Sequence, residues 1–180
     1  MESVASDQSS YGPDYMKVIS GGQNGADQAG LRAAKACGLP TGGWLPKGCR
    51  TLDGPRPDLL TEYSMKEHTS ESYPPRTETN VKDSDGTIRF ARTFSSAGEK
   101  CTLRAIKWYN RPHLDVNIEK PLDKQEVLSW LIKHDIKVLN IAGNSEQTAP
   151  GIDAFVFDYL CGVFALWLIE NGLDTPTERT

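Results

Sequence analysis

The feature that most limits how this chain can fold is a short apolar run followed at once by a glycine loop and a helix of small residues. Residues 16–20 read as a buried strand, with Val18 and Ile19 at its centre. Gly21, Gly22 and Gly25 crowd the next five positions. Ala26, Ala29, Gly30, Ala33, Ala34 and Cys37 then recur at three- and four-residue steps until Gly38 and Pro40 end the pattern. That spacing predicts a helix over 27–37 with a flat face able to lie close on a sheet.

The same succession recurs downstream. Strands are expected over 87–92, 114–118 and 136–142, and helices over 99–109, from Pro121 through His134, and after Pro150-Gly151. Strands alternating with helices specify an α/β fold, a mostly parallel sheet with helices on both faces. The 180 residues suit one domain over 16–172. A polar, disordered tail is expected over 1–15 and a second polar tail over 173–180. Between Pro40 and Pro75 the chain is rich in proline and glycine and poorly periodic, which suits a long functional loop. A helix over 76–83 would bury little but Val81, so contact with something polar would have to hold it.

Composition removes several function classes. With 20 basic and 24 acidic residues the net charge is −4, which argues against a nucleic-acid groove. No apolar run reaches the ~20 residues of a membrane span; the densest, 154–169, is shorter and carries Asp158. The first residues lack the basic cluster and apolar core of a secretory signal. Cys37, Cys49, Cys101 and Cys161 form no C-x-x-C pair, and His68, His113 and His134 are scattered. No structural metal is expected; reduced, mostly buried thiols in a cytoplasmic protein are.

In parallel sheets ligands bind at the carboxyl ends of the strands. Three loops leave strands there, 20–25, 95–98 and 143–145, so the candidate site gathers around them. Gly21, Gly22, Gln23, Asn24, Gly25 and Asp27 form a glycine loop entering a helix, whose unpaired N–H groups and dipole suit a phosphate; the plainer reading is a tight turn. Lys47 and Gly48 lie in a stiff loop that could present a cation, or simply a solvated lysine. Arg76 and Asn80 stand one helical turn apart on one face. With Asp83, Ser84 and Asp85 they could read a heterocycle, or only cap and solvate a helix. Gly98 and Thr102 mark a second helix start, where the Glu99 carboxylate competes with an anion. Gly143 and Asn144 complete the set. No nucleophile–base pair is assignable. The last helix, with Phe155, Val156, Tyr159, Leu160, Val163, Phe164, Leu166, Trp167 and Ile169, is apolar nearly all round. A subunit interface is expected there, with core packing as the alternative.

Taken in order, 20–29, 42–48, Asp53-Gly54, Arg76-Thr77, Asn80-Val81, 84–87 and 138–143 resemble the molybdenum cofactor carrier family. This is a circularly permuted branch of the Rossmann-like superfamily that includes the lysine decarboxylase-like phosphoribohydrolases. The resemblance covers roughly 16–170. It implies a single Rossmann-like domain, a homo-oligomer (dimer or tetramer), and a protein that binds, protects and transfers molybdenum cofactor as cargo. It also implies molybdoenzymes as partners. The relatives imply, as the alternative, a nucleotide-binding protein or a nucleoside-monophosphate phosphoribohydrolase. Either ligand is a small anion, a pterin or nucleotide phosphate. Asn24 stands where the family usually has Thr, Gln28 where it has Arg, and Ala97-Gly98-Glu99-Lys100 where it has a Gly-Gly loop. The relatives' Gly-Gly-x-Gly-Thr-x-x-Glu signature is not intact, which favours binding over hydrolysis.

Overall fold

All four strands expected from the alternation form, and they make the centre and one edge of a six-stranded sheet. The computed structural model describes residues 14–174. Its elements, in chain order, begin with β1 (Lys17–Ser20), α1 (Ala26–Ala36), β2 (Thr41–Leu45), β3 (Arg50–Thr51) and β4 (Gly54–Pro55). Next come α2 (Asp58–Glu62), β5 (Lys66–Glu67), α3 (Tyr73–Lys82), β6 (Gly86–Ala91) and α4 (Ala97–Trp108). The chain then runs through β7 (His113–Asn117), α5 (Lys124–Lys133), β8 (Val138–Gly143) and α6 (Ile152–Glu170). The tails expected at 1–15 and 173–180 lie outside the described residues, apart from 14–15 and 173–174.

The sheet order is β5-β2-β1-β8-β6-β7, and every pairing in it is parallel. From β1 the chain steps outward to β2, while β8 returns from the far edge to pair with β1 on its other side. The carboxyl ends of β1 and β8 therefore bound a crevice. A separate short hairpin, β3 with β4, lies in the long segment read from sequence as loop.

The small-residue face of α1 lies on the sheet as its spacing predicts. A Cβ on Gly30 would stand 2.7 Å from Ile141 Cγ2 on β8, so only glycine allows this approach. α1, α5 and α6 share one apolar core with β1, β6 and β8, including Val18, Ala33, Phe90, Ile141, Leu131 and Phe164. Each large side chain there contributes about 1.5–3 kcal/mol. α3 and α4 pack together through Val81, Ala105 and Ile106. Leu31, Leu45, Leu59, Tyr63 and Met65 form a third cluster that anchors the segment after β2.

α6 spans 19 residues with a mean hydropathy of 1.9, long and apolar enough by length and composition to cross a membrane. That is longer than the apolar run read from the sequence. In this fold it packs on α1, α5 and β6 and buries Ile152, Val156, Tyr159, Leu160, Val163, Phe164, Trp167 and Leu168. Core packing therefore accounts for most of its apolar character, where an interface was expected. The four cysteines are free thiols.

Candidate functional site

The crevice opens into a cavity of about 470 Å³, within the range of small-molecule sites. Its walls come from the loop after β1, the inner face of α3, the start of α4, and the end of β8 with the loop that follows. The polar residues of α3 explain that helix. Arg76 and Asn80 turn inward and are buried, so α3 is held by the polar contacts its sequence requires. The Asn80 carboxamide clamps the β2 backbone, accepting from Trp44 N–H at 3.0 Å and donating to Trp44 C=O at 3.2 Å.

The glycine loop after β1 differs from expectation. Several of its amides are already engaged within the chain. Gly22 N–H donates to Ser20 Oγ at 3.2 Å, Gln23 N–H to Asp27 Oδ2 at 3.3 Å, and Asn24 N–H to Gln23 Oε1 at 3.1 Å. Ala26 N–H donates to the Asn144 carbonyl at 3.2 Å. The Asp27 carboxylate accepts from the Gln23 amide of this loop, and its negative charge disfavours a second anion there. The cation on this wall is instead Arg76, whose Nη1 lies 4.0 Å from Asp27 Oδ2. Gly21 makes room for it, because a Cβ there would stand 2.5 Å from Arg76 Cζ and 2.9 Å from Asp27 Oδ2.

The start of α4 is more open. Ser96 caps it, accepting from Glu99 N–H at 3.2 Å, while the first amides of any helix have no acceptor within it. Nothing would crowd a Cβ on Gly98 nearer than Ser96 Oγ at 3.9 Å. Behind this turn, β6 holds Arg89. Its Nε and Nη2 donate to Asp115 on β7 at 2.8 and 2.6 Å, and its Nη1 donates to the Glu99 carbonyl at 3.1 Å. Asn144 ties the remaining parts together, donating to Thr93 C=O and to Glu99 Oε1, both at 3.3 Å, and accepting from Arg92 N–H at 3.0 Å.

Two carboxyl groups face this cavity under unusual conditions. Burial lifts Asp27 to about 6 although Arg76 pulls the other way. Burial likewise lifts Glu99 to about 7, against Arg89 and with help from Asp27 and Asp115. Burial also lowers Arg76, against Asp27. In a cleft, such shifts single out candidate functional groups. Three buried polar atoms on the lining have no hydrogen-bond partner: Arg76 Nε, Glu99 Oε2 and Asn140 Oδ1. A ligand with matching groups would satisfy them.

A family model described as the circularly permutated YpsA SLOG family matches residues 18–164. The chain belongs to the circularly permutated YpsA SLOG family. Consistent with this, the SLOG chain resembles the crystal structure of the "putative molybdenum carrier protein" from Syntrophus aciditrophicus SB. The two are 34% identical with a TM-score of 0.75, over 87% of this chain and 98% of that one. No curated protein matches it.

In this SLOG chain, Gly21, Gln23, Asp27, Arg76, Asn80, Gly98, Glu99, Thr102, Gly143 and Asn144 line the cavity. Seven other expected residues do not. Gly22 turns toward Leu45 and Met65, and Asn24 and Gly25 lie on a shallower depression beside Asp53 and Glu146. Lys47 and Gly48 are exposed in the loop after β2. Ser84 and Asp85 precede β6 and so sit at the amino edge of the sheet, away from the crevice. There Ser84 Oγ donates to Val81 C=O, and Asp85 Oδ2 accepts from Lys137 and Val138 N–H at 3.0 and 2.7 Å. They close α3 and pin β8.

Asn140 was missed. It pairs in register with Ile19 and Thr87 and is buried. A lone amide inside the apolar run of β8 was the legible signal. Ser96, Thr77 and Tyr73 join the lining as well. Among the described residues no group of three or more His, Cys, Asp or Glu is placed to hold a metal ion.

Proposed function

We propose that the chain binds a phosphate-bearing heterocycle of molybdopterin type in this cavity and acts as a carrier for molybdenum cofactor. The observation that supports this most is the buried Arg76, with Nε unmatched, facing the open first turn of α4 across a cavity of ligand size. A desolvated guanidinium and a helix start suit a phosphate. Arg76 and the Ala97–Gly98 turn would hold the phosphate, and the polar side chains deeper in the cavity would meet the ring. The name of the Syntrophus protein agrees with this cargo. When bound, the cofactor supplies redox chemistry to the enzyme that receives it; the residues here bind, orient and exclude water.

The carrier reading includes hand-over to molybdoenzymes in the cytoplasm. It also includes a homo-oligomer using the outer stripe of α6, where Ala154 and Ile169 stay exposed beside the half-buried Cys161 and Ala165. The chain purified from a cofactor-producing host should contain molybdenum and pterin in comparable amounts, and Arg76→Met should lose both. Neither above background in the unmodified chain would overturn the carrier reading. Light scattering tests the oligomer.

A second reading is favoured by the two carboxyl groups that exchange protons near neutrality, Glu99 at about 7 and Asp27 at about 6. Such groups suit acid–base cleavage of a nucleoside monophosphate at its N-glycosidic bond. Release of free base, followed by chromatography, would establish it.

A further inference from the structure

The phosphate reading uses Arg76 and leaves two buried acceptors on the same lining unexplained. Glu99 is 2% exposed. Its Oε1 accepts from Asn144 Nδ2, but Oε2 has no hydrogen bond. The nearest cation, Arg89 Nη1, stands 3.6 Å away and already donates to the Glu99 carbonyl. Asn140 is 3% exposed, and its Nδ2 meets Thr87 Oγ1 at 3.2 Å while Oδ1 has no donor.

Buried acceptors without donors are costly. Phosphate oxygens, ring carbonyls and thiolates cannot relieve them, because they too are acceptors. N–H groups can. A carboxylate presents two oxygens in one plane, which matches two parallel N–H donors better than any single one. A ring N–H beside an exocyclic amine is such a pair. Guanine and pterins carry it on their 2-amino-4-oxopyrimidine edge. Adenine offers an amine beside a ring acceptor, which a carboxylate repels.

We propose that Glu99 is the specificity-determining residue of the cavity, selecting heterocycles with a ring N–H next to an amino group over adenine-type rings, with Asn140 accepting a further N–H. This rests on the reading that the cavity binds a heterocycle, and it names which edge of that heterocycle is read.

The test is calorimetric binding of GMP, IMP and AMP to the purified full chain at pH 8, repeated with Glu99→Gln. GMP should bind roughly tenfold or more tighter than AMP, the discrimination expected of one bidentate pair. IMP, which keeps the ring N–H but lacks the amine, should fall between them. In Glu99→Gln the GMP-to-AMP ratio should collapse toward one, since an amide offers one acceptor and one donor. The comparison among ligands in the unmodified chain needs no variant, so it stands even if Glu99→Gln folds poorly. Equal binding of all three, a preference for AMP, or a GMP preference that survives Glu99→Gln overturns the assignment of Glu99 and leaves the heterocycle reading intact. Binding of none of the three overturns both.

Discussion

Glu99→Gln should make the protein more stable at alkaline pH than at acid pH, relative to the unmodified chain. The Glu99 carboxyl is the source of the effect. It is buried at the start of α4, its Oε2 has no hydrogen bond, and burial raises it from an ordinary 4.5 to about 7. A carboxyl raised on folding takes up protons in the native state that the unfolded chain gives up. Its contribution is fully present below about 4.5 and is lost as pH rises through about 7. That displacement is worth about 3 kcal/mol, a large share of the 5–15 kcal/mol typical of a domain. Glutamine does not titrate. The stability difference between variant and parent should therefore grow by about 3 kcal/mol between pH 4.5 and pH 8, whatever fixed offset comes from altered contacts with Asn144 and Arg89. Asp27 titrates in both proteins, so its own contribution cancels in the difference. Urea unfolding at several pH values, followed by tryptophan fluorescence, measures it. A difference that stays flat across this range would refute the account of Glu99 as a carboxyl held at a cost to the fold.

Other expectations follow from close approaches and burial. Gly21→Ala would place its Cβ against Arg76 Cζ and Asp27 Oδ2; the guanidinium must move, so phosphate affinity measured by calorimetry should fall while the thermal midpoint drops by only a few degrees. Gly143→Ala should be far more damaging, because φ is 154° and a Cβ would run into the Phe90 carbonyl at the β6–β8 pairing. A loss of about 3 kcal/mol or more in denaturant unfolding is expected. The Cys37 thiol is pushed up to about 12, first by burial and then by Cys161. It should resist alkylation at pH 8 in the native state and react promptly in denaturant, as peptide mass mapping would reveal.

Much of the fold could be read because the alternation of apolar strands and small-residue helices is strong in this chain. β1, β6, β7 and β8 stand where the periodicity places them. β2 did not announce itself, since Thr41-Gly42-Gly43-Trp44-Leu45 has neither alternation nor a β-branched run. It forms because Gly43, at φ 120°, lies against the Ser20 backbone and because Asn80 on α3 holds Trp44. The site was legible in outline through its loops. Local reading failed where tertiary partners decide the matter. Asp27 engages the amides of its own loop, which no spacing rule reveals. Ser84 and Asp85 precede a strand of a parallel sheet, so topology alone sends them to the edge opposite the cavity.

The turn at Asp53 bears on time rather than affinity. Asn24 Nδ2 donates to its carboxylate at 2.9 Å, Gln147 Nε2 donates at 3.4 Å, and Leu52, whose side chain borders the cavity, donates its amide to Gln23 Oε1 at 2.8 Å. Each such bond contributes only about 0.5–1.5 kcal/mol net. Leu52 and Gln23 line the cavity, while Asn24, Asp53 and Gln147 line the shallower depression beside it, apart from the buried atoms proposed to meet a ring or a phosphate. On the proposed carrier reading, a cargo's dwell time has a component that these peripheral contacts control by themselves. Asp53→Ala would shorten the stay of a bound molecule without changing which molecule is chosen, and a carrier's delivery rate could be tuned there with its selectivity left alone.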